Sequence, residues 1–215
     1  MKYLKTTLLV AMTMCTIGVA SAWAALPEFS GEFPDGFKGA STSPKFEASG
    51  GAIVLECEKT EDVGTINSAK SLTFDILYLG CSAKVLGISV GKCTGLNDTT
   101  TGSILLKGTT TLGFELGTLI PVMVQSIGTL HYECGSTLVV VSGCMVGTIT
   151  LAKSSTGEWL FKGSGGKQEF TDYTNDKGEM ISCLLETSVN GGSAKEANLI
   201  WHEVLTFVKP VEVKD

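Results

Sequence analysis

The sequence predicts an all-β fold, an antiparallel β-sandwich or barrel with an extended N-terminal arm. Three observations carry this expectation. Short β-branched runs recur between turn residues, 26 glycines are spread through a chain in which Ser and Thr are everywhere, and no window joins a 3.6-residue apolar stripe to helix caps.

The first element is a targeting segment. Residues 1–24 have the three parts of a cleavable secretory signal: Lys2 and Lys5 supply charge, Leu8 to Val19 an apolar run, and Ala20-Ser21-Ala22 or Ala22-Trp23-Ala24 the small residues before the cut. Cleavage is expected after Ala22 or after Ala24. A retained anchor would need about 20 uninterrupted apolar residues, whereas Thr13, Thr16 and Gly18 interrupt this run, so no transmembrane anchor is expected after cleavage. Met14 before Cys15 argues against a lipoprotein, which needs a small residue there.

Residues 25–43 come next, with Phe29, Phe33 and Phe37 set among Pro27, Pro34, Gly31, Gly36 and Gly39. Four-residue spacing would suit a helix, but the breakers forbid one. We therefore expect an extended arm whose phenylalanines dock on a sheet. A single β domain over 44–215 should follow, since no Pro-rich or charged linker divides it and its size suits one core.

Its strands are expected at 52–58, 72–79, 84–90, 102–107, 110–116, 119–124, 129–134, 138–142, 146–153, 158–162, 168–173, 180–188 and 199–213. In the first, Ile53, Leu55 and Cys57 share a face; in the last, Pro210 removes a ladder donor and points to an edge or bulge. Glu196 to Val208 could also form a helix with Trp201, Leu205 and Val208 on one side. Strand is preferred there, because Val204, Thr206 and Val208 alternate with Leu205 and Phe207.

Charge excludes some partners. The chain has 16 basic against 22 acidic residues, and loss of Lys2 and Lys5 leaves 14 against 22, near −8. Every basic residue is Lys. Without clustered positive charge or the Arg fork, nucleic acid and anionic membranes are poor partners. Six cysteines remain after cleavage: Cys57, Cys81, Cys93, Cys134, Cys144 and Cys183. An even count in an exported chain reads as disulfides, with buried thiols as the alternative. Six cysteines allow 15 connectivities, and spacing ranks Cys81 with Cys93 first because they close a short loop across Ser82 to Lys92. No pair has the spacing of a zinc site.

The remaining motifs have plain readings. Gly91-Lys92-Cys93-Thr94-Gly95 is spelled like a nucleophile elbow, yet turn and strand residues follow where a helix is required, and a cystine cannot attack. Asp172, Asn175, Asp176 and Glu179 surround Gly178 without calcium-loop spacing and suit a hairpin turn. Gly163 to Gln168 lacks both ends of a P-loop. Thr99 to Thr101 and Thr109 to Thr111 could present hydroxyls to carbohydrate or ice, but threonine is also an ordinary residue for a solvated strand face.

Taken together, Ala25-Leu26-Pro27-Glu28-Phe29, Leu55-Glu56-Cys57, Gly80-Cys81, Glu133-Cys134-Gly135, Gly165-Gly166-Lys167-Gln168, Leu185-Glu186-Thr187-Ser188-Val189-Asn190-Gly191-Gly192 and Val211-Glu212-Val213 span nearly the whole mature chain. The set resembles a family of uncharacterised exported proteins from high-GC Gram-positive soil bacteria. The resemblance implies an extracellular location and a shared fold, and it transfers no activity, cofactor or catalytic residue. The chain departs from that pattern at Cys144 and Cys183, which the resemblance therefore pairs with each other. Cys57 is then left for Cys134, with Cys81 joined to Cys93.

The expected function follows from these readings: a secreted or cell-surface β protein with a binding or envelope-associated role, a cell-wall or extracellular ligand as partner, no cofactor, no metal and no catalytic residue. The alternative is a secreted hydrolase using His131 or His202 with an acidic partner. A histidine in a pocket beside an acid and a Ser or Thr would favour the second reading.

Overall fold

The computed structural model describes residues 27–118, 120–175 and 177–214. The signal-peptide segment lies outside the described residues. Eighteen strands and one 3-10 turn (Ser49–Gly51) make up the described fold, which is all-β as the sequence predicts. In chain order they are β1 (Glu28–Ser30), β2 (Asp35–Thr42), β3 (Lys45–Ala48), β4 (Ile53–Glu56), β5 (Lys59–Ser68) and β6 (Ser71–Leu79). Then come β7 (Ser82–Val85), β8 (Ile88–Gly95), β9 (Ser103–Glu115), β10 (Pro121–Cys134), β11 (Thr137–Thr150) and β12 (Ser154–Phe161). Two short hairpins, β13 (Gly163–Ser164) with β14 (Lys167–Gln168) and β15 (Asp172–Thr174) with β16 (Met180–Ser182), precede β17 (Leu185–Val189) and β18 (Lys195–Lys214).

Antiparallel pairing closes on itself twice. The first circuit runs β2, β5, β6, β9, β10, β11, β12 and β18, which returns to β2. The second runs β3, β4, β7, β8, β10, β11, β17 and β18, which returns to β3. Closure leaves neither ring with a free edge, the arrangement by which barrels avoid sheet-edge aggregation. Three long strands, β10, β11 and β18, belong to both rings and change partners part-way along.

The changes of partner have local causes. β10 pairs with β9 over Pro121–Ser126 and with β8 over Tyr132–Cys134, and its register with β11 shifts between Ser126 and Gly128. Gly128 takes φ +56°, which a glycine adopts without a Cβ clash. β11 pairs with β17 up to Gly143 and with β12 from Thr148. Gly143 has φ +104°, and a Cβ there would sit 2.0 Å from the Leu184 carbonyl oxygen. These breaks fall where the sequence suggests that one strand ends and another begins. The strands continue through them.

The expected arm is extended, and its Phe29 and Phe37 are buried. It is also part of the sheet: β1 pairs with the end of β18, and β2 is hydrogen-bonded on both sides within the first ring.

The main core fills both rings. Trp159 and Trp201 meet edge to face at 6.1 Å, Phe161 stacks on Trp201 at 5.3 Å, and Phe37 packs on Trp159. Such contacts add about 0.5–1.5 kcal/mol each beyond the area they bury. A cavity of about 40 Å³ between Tyr78, Leu106, Tyr132, Met145 and Leu199 has room for little more than a water molecule. This cavity is far smaller than the chamber a small-molecule site needs. A second, smaller core lies outside the first ring, where Val122, Val124 and Val146 are covered by the 163–183 excursion.

All six cysteines form disulfides, and two of the three expected pairings are corrected. Cys144 joins Cys183, but Cys57 joins Cys81 and Cys93 joins Cys134. Loop length is the wrong guide, because strand register decides which side chains face each other. Cys93 and Cys134 are direct cross-strand partners on β8 and β10. Cys57 and Cys81 mark the two points where the chain leaves the second ring for the β5–β6 hairpin and comes back. The Cys93 amide does approach Cys81, donating to its carbonyl at 2.9 Å, while the two side chains bond elsewhere.

Candidate functional site

Two places carry chemistry beyond packing. The first is a hollow where the rings part. As β10 leaves β9 and takes up β8, a cleft of about 480 Å³ opens between the strands, lined by Asn97, Asp98, Lys107, Thr129 and His131 over a floor that includes Leu105 and Ile127. The Cys93–Cys134 disulfide and the Tyr132–Gly95 pairing brace one end. Asp98 is structural as well as polar, since its Oδ2 accepts the Leu105 amide at 2.9 Å.

The structure places each histidine on an outer face. His131 is exposed and lines the cleft with Asp98 and Thr129, but no ion pair joins it to an acid among the described residues. His202 is exposed, and its Nε2 lies 3.2 Å from Glu158 Oε2 on the neighbouring strand. The two histidines belong to different parts of β10 and β18, and nothing brings them together. The acidic segment around Gly178 is a hairpin turn, as the sequence predicts: Asn175 Oδ1 accepts the Lys177 and Glu179 amides, and Asn175 Nδ2 donates to Glu179.

The second place was not singled out by sequence. Asp62 of β5 and Glu203 of β18 point into the first ring, 3% and 0% exposed. The strand β2 lies between theirs, and the gap is bridged because position 39 is a glycine: a Cβ there would lie 1.9 Å from Glu203 Oε1. Among the described residues, no N–H group reaches any of the four carboxyl oxygens. Burial pushes both carboxyls up from their ordinary values, Glu203 by the larger amount. Contact with Asp62 raises Glu203 further, whereas contact with Glu203 tempers the rise at Asp62. Both shifts favour the protonated form, so the pair keeps a proton that free carboxyls would release. Around them, Trp201 Nε1 donates to Ser41 Oγ at 2.7 Å and Thr60 Oγ1 to the same oxygen at 3.2 Å. Burial, with the two acids adding, raises the Tyr78 hydroxyl as well.

Glu203 was legible in principle. It shares a strand face with Trp201, Leu205 and Phe207, and an acid on a wholly apolar face is a buried acid. Asp62 gave no such signal, because Thr60, Asp62 and Gly64 make the inward face of β5 as polar as its outward face.

No group of three or more His, Cys, Asp or Glu residues among the described residues could hold a metal ion, and no described helix is long and apolar enough to cross a membrane. Compared with known proteins, the chain matches no family model, no curated protein and no solved structure.

Proposed function

We propose that the chain is an exported protein of the cell surface or the surrounding medium, acting as a binding or structural component of the envelope and not as an enzyme. The observation that carries this reading is the braced cleft at the fork of β8, β9 and β10, an open site with hydrogen-bonding groups over an apolar floor. Export is supported by the secretory features of residues 1–24 and by three disulfides, which persist in oxidising compartments. The resemblance of the sequence motifs to exported proteins of high-GC Gram-positive bacteria is in keeping with the same location.

The ligand is a wall polymer rich in hydroxyl and amide groups, which suits a cleft presenting amide, hydroxyl, imidazole, carboxylate and ammonium groups. Purified wall material should sediment with the protein, and replacing Asn97, Thr129 and His131 together by Ala should cut that retention at least tenfold, about 1.4 kcal/mol. Unchanged retention sinks the cleft assignment. Secreted protein should begin at Trp23 or Ala25 on N-terminal sequencing.

The hydrolase reading keeps one observation in its favour, the presence of His131, Asp98 and Thr129 around one hollow. Release of soluble wall fragments by the wild type, abolished by His131→Ala, would establish it and overturn the non-enzymatic role.

A further inference from the structure

The Asp62–Glu203 pair has a consequence independent of any ligand. We propose that these two carboxyl groups form a proton-held clasp, in which one shared proton ties β5 to β18 across β2, so that the first ring is tightest in acid and loosens as the medium becomes alkaline.

The geometry requires the proton. Two carboxylates are acceptors only, so a contact between them exists only when one carries a hydrogen and donates it. Neither can turn to solvent, and neither has a backbone or side-chain N–H to neutralise it. The groups that register and contacts set beside the pair are neutral: Gly39 and Ser41 on β2, Thr60 on β5, Ile76 and the Tyr78 hydroxyl on β6, Trp159 on β12, Trp201 and Leu205 on β18. No lysine or histidine contributes to the shift of either acid. Two bare charges side by side in this interior would repel, with no countercharge to offset their desolvation.

The sign follows from proton counting. In the unfolded chain both acids release their protons around the ordinary 3.8 and 4.5. The folded chain holds on above those values. Stability from the clasp is therefore complete below the unfolded values and declines as pH rises from there toward the folded ones. This is the reverse of ordinary salt-bridged carboxylates, whose contribution is lost in acid.

Thermal unfolding of the intact mature protein and of Glu203→Gln between pH 4 and pH 9 tests the clasp. The variant cannot ionise at 203, and its amide can donate to Asp62. The two proteins should melt within a few degrees of each other at pH 4, and the wild type should fall progressively below the variant as pH rises. Parallel profiles would overturn the proposal. A readout on the wild type alone covers failure of the variant to fold: at neutral pH in heavy water, infrared spectroscopy should show the carbonyl stretch of a buried protonated carboxyl, and its absence would be equally damaging. Calcium is a separate control. If it raises the wild-type melting temperature at pH 8 and not that of Glu203→Gln, the pair is a cation site and the shared-proton reading fails.

Discussion

The two rings share three strands and solve the same closure problem by different means. In the first, strands of eight residues or more enclose tryptophans, phenylalanines and a pair of acids, and the contacts among Phe37, Tyr78, Trp159, Phe161, Trp201 and Phe207 join strands of this ring. In the second, β3, β4 and β7 have four residues each, and two disulfides stand at its strands and crossovers. Short strands bury less apolar surface each than long ones, and covalent ties add to what burial contributes there. The first ring also takes Asp62 and Glu203 into its interior.

The sharpest way to break the first ring without touching the second is Gly39→Ala. The added methyl occupies the path of the Glu203 carboxyl, which must then move into the apolar interior without its partner. We expect a loss of about 3 kcal/mol or more, beyond ordinary overpacking because an acid is also orphaned. Chemical denaturation measures it. Recovery of most of that loss in Gly39→Ala/Glu203→Ala would show that the clash is with Glu203; additive losses would place it elsewhere.

The complementary change is Cys57→Ala with Cys81→Ala. The bridge closes a sequence separation of 24 residues at the foot of the β5–β6 hairpin. Loop entropy assigns it about 3 kcal/mol, or roughly 6–12 °C in a domain of this size. Hydrogen exchange should quicken first in β4 and β7, whose pairing the bridge secures, and later in β9. Equal loss of protection in both rings would mean that they unfold as one unit and that the division of labour has no energetic counterpart.

Sequence legibility divides along the same line. The class, the disposition of β18 as strand and the pairing of Cys144 with Cys183 were accessible, the last through resemblance. The breaks at Gly128 and Gly143 were visible too, but a glycine signals a local backbone need and does not say whether the strand ends or changes neighbour. β5 escaped because the acids and small residues inside the first ring erase the apolar alternation that marks a strand. The disulfides of the second ring were misassigned because connectivity there depends on which distant strands are adjacent, information that spacing does not hold.

A milder probe of the first ring is Trp201→Phe. The ring that stacks on Phe161 is largely kept, while the donor to Ser41 is lost and a small void is left. A cost of about 1–3 kcal/mol is expected from the hydrogen bond and the cavity together. A change under about 0.5 kcal/mol would mean that the polar contacts around the acids contribute little to the ring.

His202→Ala should do least. Its side chain is more than half exposed, its partner Glu158 is equally exposed, and both lie on the outer faces of β18 and β12. An exposed pair of this kind gains little in water and gives up side-chain freedom to form, so the median contribution is about 0–1 kcal/mol. The backbone pairing of residue 202 with Leu160 survives the truncation, because alanine keeps the same N–H and C=O. We expect a stability change below about 0.5 kcal/mol, with wall retention and both disulfides of the second ring unaffected. The measurement matters because His202 with Glu158 is the only histidine–acid ion pair among the described residues. A variant that unfolds like the wild type but loses a wall-cleaving activity would give that pair a catalytic role, and would move the functional centre from the fork to the outside of the first ring.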